Sequence, residues 1–137
     1  MGIQRDNKIS NNQAKKFPLS FPRSENSYGR QRGYICLFDL RSVGDEIIKQ
    51  ELRKYYFLNP ESVKNNPIFL ILSSNTYSKL IPWTRAEVEI GYRGMWIPYI
   101  ECWYPGDILT NEIERIIYVK VKNEIKWHPY FINTIKI

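Results

Sequence analysis

The clearest pattern in this sequence is a series of short apolar runs separated by polar segments. Residues 34–40 and 67–72 are apolar at almost every position, which is typical of strands buried on both faces. Residues 87–90 and 116–121 alternate between polar and apolar positions, and a longer run over residues 96–104 is also strand-like. We therefore predict a sheet of short strands with residues 67–72 as a central strand.

One segment has the period of a helix instead. Apolar residues recur every three or four positions from Asp45 to Leu58, acidic residues stand at the start, and Asn59-Pro60 follows the end. We predict one main helix over about residues 45–58, a loop or short helical turn over residues 73–84, and a final strand within residues 126–137. The predicted fold class is α+β, with four to six mostly antiparallel strands and this main helix.

The positive charge of the chain is concentrated at its N-terminus. Residues 1–33 contain seven Lys or Arg and two acidic residues, so they carry +5 of the formal net charge of +6. These residues are rich in Asn and Ser, have no regular period, and contain too little apolar surface to offset the entropy of ordering them. We therefore predict a disordered basic arm over residues 1–33 and a single α+β domain over residues 34–137.

Length and composition limit the class of protein. A chain of 137 residues with 43% hydrophobic content forms about one domain. No apolar run approaches the roughly 20 residues that cross a bilayer, so we expect a cytoplasmic protein without membrane contact. Cys36 and Cys102 lie in strand-like runs and are expected as buried hydrophobic residues rather than as a disulfide. Because His128 is the single histidine, no spacing resembles a zinc site and no metal is expected.

Glu101 is the most specific candidate for a functional residue in this sequence. In a strand over residues 96–104, alternation places Tyr99, Glu101 and Trp103 on one face, so that two aromatic rings flank the carboxylate. Such a setting desolvates a carboxylate, or holds it against a ligand hydroxyl or a cation. The alternative is a solvent-facing edge strand, indicated by Pro98, on which Glu101 pairs with a nearby Lys or Arg.

The segment around Glu101 resembles a known family. Residues 100–108 (IECWYPGDI), followed by residues 113–119 (IERIIYV), resemble the C-terminal part of toxin-like ADP-ribosyltransferases, particularly the bacterial enzymes that modify DNA. In that family a glutamate on an acidic strand catalyses transfer of ADP-ribose from NAD. The resemblance implies that Glu101 is catalytic and that NAD is the cofactor. Glu87 and Glu89 also form a Glu-x-Glu pair like that of arginine-modifying relatives, and an alternating exposed strand explains this pair equally well.

The resemblance also bears on how NAD would be held. Members of the DNA-modifying group hold NAD through an N-terminal histidine and arginine, whereas no histidine precedes His128 here. By resemblance, Arg41 at the end of the first strand, or alternatively Arg30 and Arg32, would supply the arginine, and Ser73 and Ser74 after the central strand would contact the nicotinamide ribose. A chain of this kind is a divergent enzyme, a truncated one or a non-catalytic relative.

Two other functions stay open. A metal-independent small ribonuclease toxin would use His128 and Glu101 as its acid-base pair, with a nearby cation for the phosphate. A non-enzymatic module would bind nucleic acid or a protein partner, such as a cognate antitoxin. Cationic, Gly-containing segments with a nearby aromatic suit phosphate contact and base stacking. The candidate nucleic-acid-binding residues in the arm are Lys15, Lys16, Arg23, Arg30 and Arg32.

Overall fold

The computed structural model describes residues 6–11, 25–41, 44–47, 50, 68–91, 97, 99–120 and 131–136. Strands alternate with short helices, and the fold is a small α+β fold, as predicted. The strands described are β1 (Lys8–Ile9), β2 (Tyr34–Phe38), β3 (Ile68–Leu72), β4 (Ile81–Pro82), β5 (Glu101–Pro105), β6 (Ile108–Leu109), β7 (Ile113–Lys120) and β8 (Phe131–Lys136). The α-helices are α1 (Tyr28–Gln31) and α2 (Trp83–Ile90), and 3₁₀ helices span Ser74–Lys79 and Thr110–Glu112.

The described strands form antiparallel sheets. One sheet has the order β2-β5-β4, a second has the order β3-β7-β8, and β1 pairs with β6. In the first sheet Cys36 lies opposite Trp103 and Phe38 lies opposite Glu101. Because side chains alternate across a sheet, these four side chains share one face, and Leu37 with its partner on β5 lies on the other.

The two faces of the β2-β5-β4 sheet bury separate cores. On the face that we call the helix side, Trp103 packs with Tyr28 of α1 and Ala86 of α2. On the opposite face, which we call the inter-sheet side, Tyr104 packs with Ile108 and Ile113, and side chains of the β3-β7-β8 sheet complete the cluster. The sheet is therefore covered by helices on one side and by a second sheet on the other.

The predicted disordered arm is wrong where the structure describes it. Tyr28 is 1% exposed, and its ring centroid lies 4.6 Å from that of Trp103. Gly29 lies so close to Trp103 that an added Cβ would sit 2.3 Å from its ring. Further upstream, Lys8 pairs with Asp107 at 2.7 Å beside the β1–β6 ladder. The physical reason is that a few apolar residues dock on the core, even though the composition around them is polar.

The prediction of a strand over residues 87–90 is also wrong. These residues end α2, in which Ala86 is completely buried and Arg85 pairs with Glu89 one turn later at 3.0 Å. Four alternating residues fit a helical stripe as well as a strand face, so tertiary packing decides between them. Gly91, with φ of 68°, ends the helix.

Two other predicted strands differ from the structure in their extent or their position in the sheet. The strand predicted over residues 96–104 begins only at Glu101, because Tyr99 has φ of 73° and belongs to a turn. The strand at residues 68–72 is confirmed, but it lies at the edge of its described sheet rather than at the centre. Leu70 and Leu72 pack against the inter-sheet cluster, whereas Ile68 remains 57% exposed.

The strands predicted near the C-terminus are confirmed as β7 and β8. Of the main helix predicted over residues 45–58, residues 45–47 and 50 are helical and the others lie outside the described residues. Among the described helices, none has the length and apolar character needed to cross a membrane.

Candidate site around Glu101

Glu101 occupies the first position of β5, the middle strand of the β2-β5-β4 sheet. It is 1% exposed. The alternative of a solvent-facing edge strand is therefore wrong, because β2 and β4 pair with β5 on its two sides. The carboxylate lies on the helix side, beside Trp103, as the alternation within β5 predicts.

Two donors hold the carboxylate. The thiol of Cys36, on the neighbouring strand β2, donates a hydrogen bond to Oε1 at 2.9 Å. The backbone N–H of Ile97 donates to Oε2 at 3.2 Å, while the backbone N–H of Glu101 donates to the Ile97 carbonyl at 3.0 Å. The carboxylate thus closes the turn that leads into β5 and is also tied to β2.

Cys36 contributes a neutral donor. The residue keeps exposed surface, but its sulfur is directed at the buried carboxylate. Burial raises the pKa of the Cys36 thiol well above its ordinary value, and the negative charge of Glu101 raises it further. Cys36 is therefore a protonated thiol at neutral pH, and it is a free cysteine, as is Cys102.

Aromatic rings surround this end of the sheet. Phe38, directly opposite Glu101, is 39% exposed. Tyr99 is 47% exposed, and its ring meets the ring of Trp83 edge-on at a centroid distance of 5.0 Å. The helix side thus combines a buried carboxylate with partly exposed rings, an arrangement that suits a planar ligand.

Arg41 and the two candidate serines lie near one another. The Arg41 guanidinium binds Asp39 at 2.6 Å and stacks over the ring of Tyr77 at 4.1 Å. Tyr77 belongs to the 3₁₀ helix Ser74–Lys79, which Ser73 precedes. The side chain of Ser73 is already engaged, since its hydroxyl donates to the backbone carbonyl of Glu112 at 3.2 Å.

Arg41 and Glu101 have different partners among the described contacts. Asp39 and the ring of Tyr77 engage the Arg41 guanidinium, whereas Cys36 and the backbone N–H of Ile97 contact the Glu101 carboxylate. Burial raises the pKa of Cys102 to about 12, and Cys102 lies on the inter-sheet side, opposite to Glu101. The role of Arg41, Ser73 and Ser74 in holding NAD stays a prediction.

The sequence analysis missed a second buried carboxylate, Glu112. It accepts hydrogen bonds from Lys79 Nζ and the Tyr104 hydroxyl, each at 2.6 Å, and from the backbone N–H of Leu109 at 2.9 Å. Hydrogen bonds from Lys79 and Tyr104 lower the pKa of Glu112 to about 2. A glutamate three residues after a helix-start position is the signal that would have identified it.

The candidate nucleic-acid-binding residues fall into two groups. Arg30 and Arg32 are described, and Arg32 pairs with Glu89 at 3.0 Å while stacking on Tyr28 at 3.9 Å. Lys15, Lys16 and Arg23 lie outside the described residues, as does His128 of the ribonuclease alternative. Within the described part of the chain, no group of three or more His, Cys, Asp or Glu side chains is placed to hold a metal ion.

Comparison with protein-family models, with curated proteins and with solved structures gives no match for this chain. The site has to be interpreted from its own geometry.

Proposed function

We propose that this chain is a toxin-like ADP-ribosyltransferase that transfers ADP-ribose from NAD to a target on or near nucleic acid, with Glu101 as the catalytic carboxylate. The supporting observation is a carboxylate with 1% exposure beside partly exposed aromatic rings. Burying a carboxylate costs free energy unless it is compensated, and such groups are concentrated at functional sites.

NAD supplies a ribosyl carbon that becomes positively charged as its bond to nicotinamide breaks. A fixed carboxylate stabilises such a charge, as in glycoside hydrolysis. Phe38 and Tyr99 offer ring surfaces on the same side of the sheet as Glu101, and these suit the nicotinamide ring. The assignment of NAD contacts to Arg41, Ser73 and Ser74 remains part of the proposal.

The proposal requires a movement of the turn that precedes β5. Ile97 and Ile100 are 1% and 0% exposed, and Glu101 itself is shielded from solvent. The proposed reaction therefore requires that the surroundings of Glu101 open to admit a substrate.

Charge supports a nucleic-acid target. Arg30 lies on α1, and Arg32 follows directly after this helix. The helix packs on the helix side of the sheet, which is the side that Glu101 faces. Residues 1–33 carry most of the net positive charge of the chain. A phosphate backbone attracted to this segment would be brought to the same side as the carboxylate.

The test is transfer of label from NAD carrying ³²P in its adenylate group, with DNA, RNA or lysate as acceptor and NAD consumption measured in parallel. We expect Glu101→Gln to lower transfer about a hundredfold, the usual effect of removing one group that stabilises charge in the transition state. Glu114→Gln is the matched control, since Glu114 is an exposed strand glutamate.

Equal transfer by Glu101→Gln and the unsubstituted protein would exclude the proposed role. If the unsubstituted protein neither transfers ADP-ribose nor consumes NAD but binds DNA in a salt-sensitive way, the non-enzymatic binding module is the function that remains.

A further inference from the structure

We infer that Cys36 is a positioning residue for Glu101, and that the carboxylate in turn restrains the reactivity of this thiol. The positioning part rests on the proposed function, because it concerns catalysis by Glu101. The mutual effect of thiol and carboxylate does not depend on any activity.

The two described donors to the Glu101 carboxylate belong to different elements of the fold. Ile97 belongs to the same turn as Glu101, whereas Cys36 belongs to the neighbouring strand β2. If the turn opens to admit a substrate, the hydrogen bond from Ile97 is lost. The hydrogen bond from Cys36 is anchored in the β2–β5 ladder, so it keeps Oε1 oriented during that movement.

The chemistry of a thiol suits this role. A lysine or arginine at position 36 would neutralise the carboxylate, whereas an S–H group donates a weak hydrogen bond and leaves the negative charge in place. Cys36 therefore orients the carboxylate without adding a positive charge of its own.

The groups that act on the thiol lie on β5. Glu101 and Cys102 raise the pKa of Cys36 in addition to the larger effect of burial. On α1, α2 and the residue after α1, the described charged groups are Arg30, Arg32, Arg85, Glu87 and Glu89, and both Arg32 and Arg85 pair with Glu89. The effect of Glu101 on the thiol can therefore be measured by changing Glu101 alone.

The first experiment measures alkylation of Cys36 by iodoacetamide as a function of pH, with each cysteine identified by peptide mass spectrometry. We expect Glu101→Gln to shift the pH midpoint of Cys36 labelling downward and to raise the rate near pH 8 about tenfold, the factor that corresponds to one pKa unit. Glu114→Gln should leave both unchanged.

Buried Cys102 is the internal control for this experiment. If Glu101→Gln merely loosens the fold, Cys102 labelling rises together with that of Cys36 and the pH midpoint does not shift. That result, or an unchanged Cys36 rate in Glu101→Gln, would overturn the inference.

The second experiment compares Cys36→Ala with Cys36→Ser in the transfer assay. Serine keeps a donor and alanine removes it, so we expect alanine to lower kcat about tenfold with little change in KM, and serine to restore most of the loss. If transfer depends on Glu101 but Cys36→Ala is fully active, the positioning role fails alone. If thiol and carboxylate are coupled but no transfer occurs, the proposed function fails and the coupling stands.

Discussion

Two buried carboxylates lie on opposite sides of one sheet and are held in different ways. On the inter-sheet side, Glu112 binds a lysine ammonium and a tyrosine hydroxyl, each at 2.6 Å. On the helix side, Glu101 accepts hydrogen bonds from a thiol at 2.9 Å and a backbone N–H at 3.2 Å. Charge-assisted hydrogen bonds are the stronger kind, and of these donors only the Lys79 ammonium carries a charge.

The described donors of the two carboxylates differ in charge. The positive charge of Lys79 offsets that of Glu112, and the network ties the 3₁₀ helix Ser74–Lys79 to the segment before β7. The thiol and the amide that contact Glu101 are neutral donors. The proposed chemistry is assigned to the helix side because Glu101 lies there beside partly exposed aromatic rings.

The largest expected effect tests whether the helix side depends on its close packing. Gly29→Ala would place a Cβ 2.3 Å from the ring of Trp103, which is 1% exposed and has little room to move. Overpacking of this kind costs about 1–3 kcal/mol, more than the roughly 1 kcal/mol that alanine gains over glycine in a helix. Urea unfolding at pH 7 measures the change in the free energy of unfolding.

Gly44→Ala is the control for this prediction, because an added Cβ there meets no atom within 4 Å. We expect it to leave stability nearly unchanged. Equal stability of the Gly29 and Gly44 variants would mean that α1 is not packed on the core, and the arm prediction would then hold after all.

An effect of comparable size tests the ionic character of the inter-sheet side. Glu112→Gln removes the negative charge that Lys79 and Tyr104 bind, at a cost of about 1.5–3 kcal/mol at pH 7. The pKa of Glu112 is lowered in the folded protein to about 2. Its stabilisation is therefore present above the unfolded pKa of roughly 4.5 and is lost as the pH falls toward 2.

The measurement is the difference in unfolding free energy between the unsubstituted protein and Glu112→Gln at several pH values. We expect this difference to shrink between about pH 5 and pH 2. Taking the difference removes the contribution of other carboxylates whose pKa values are also lowered, such as Asp39 and Glu89. A difference that stays constant over this range would show that Glu112 is not held by charge.

The two sides also differ in how far the sequence predicts them. The strands β2, β3, β7 and β8 follow from apolar or alternating runs, because such runs report directly on burial. The packing on the helix side is harder to predict, because residues 25–33 are mostly polar. Tyr28 and Gly29 pack closely against Trp103, and this contact is apparent only in the folded structure.

The same contrast applies to the candidate site. Glu101 is identified by its flanking aromatic residues, but its partner Cys36 follows only from the register of β2 against β5. Arg41 is assigned to the site only through the family resemblance, and no pattern along the chain indicates which side chains it contacts. Strand pairing in the folded protein determines which side chains contact Glu101, and the order of residues along the chain does not show this pairing.

The smallest expected effect separates packing from pairing on the helix side. The Tyr28 hydroxyl donates to Glu89 Oε2 at 3.1 Å, and burial raises the pKa of Tyr28, so this donor stays protonated at neutral pH. Tyr28→Phe removes the hydrogen bond but keeps the ring against Trp103, and we expect it to lower the free energy of unfolding by about 1 kcal/mol. Tyr34→Phe, which changes a half-buried tyrosine packed against the same cluster, should have a smaller effect. A loss in Tyr28→Phe as large as that in Gly29→Ala would show that pairing with α2, rather than packing on Trp103, attaches the N-terminal segment to the sheet.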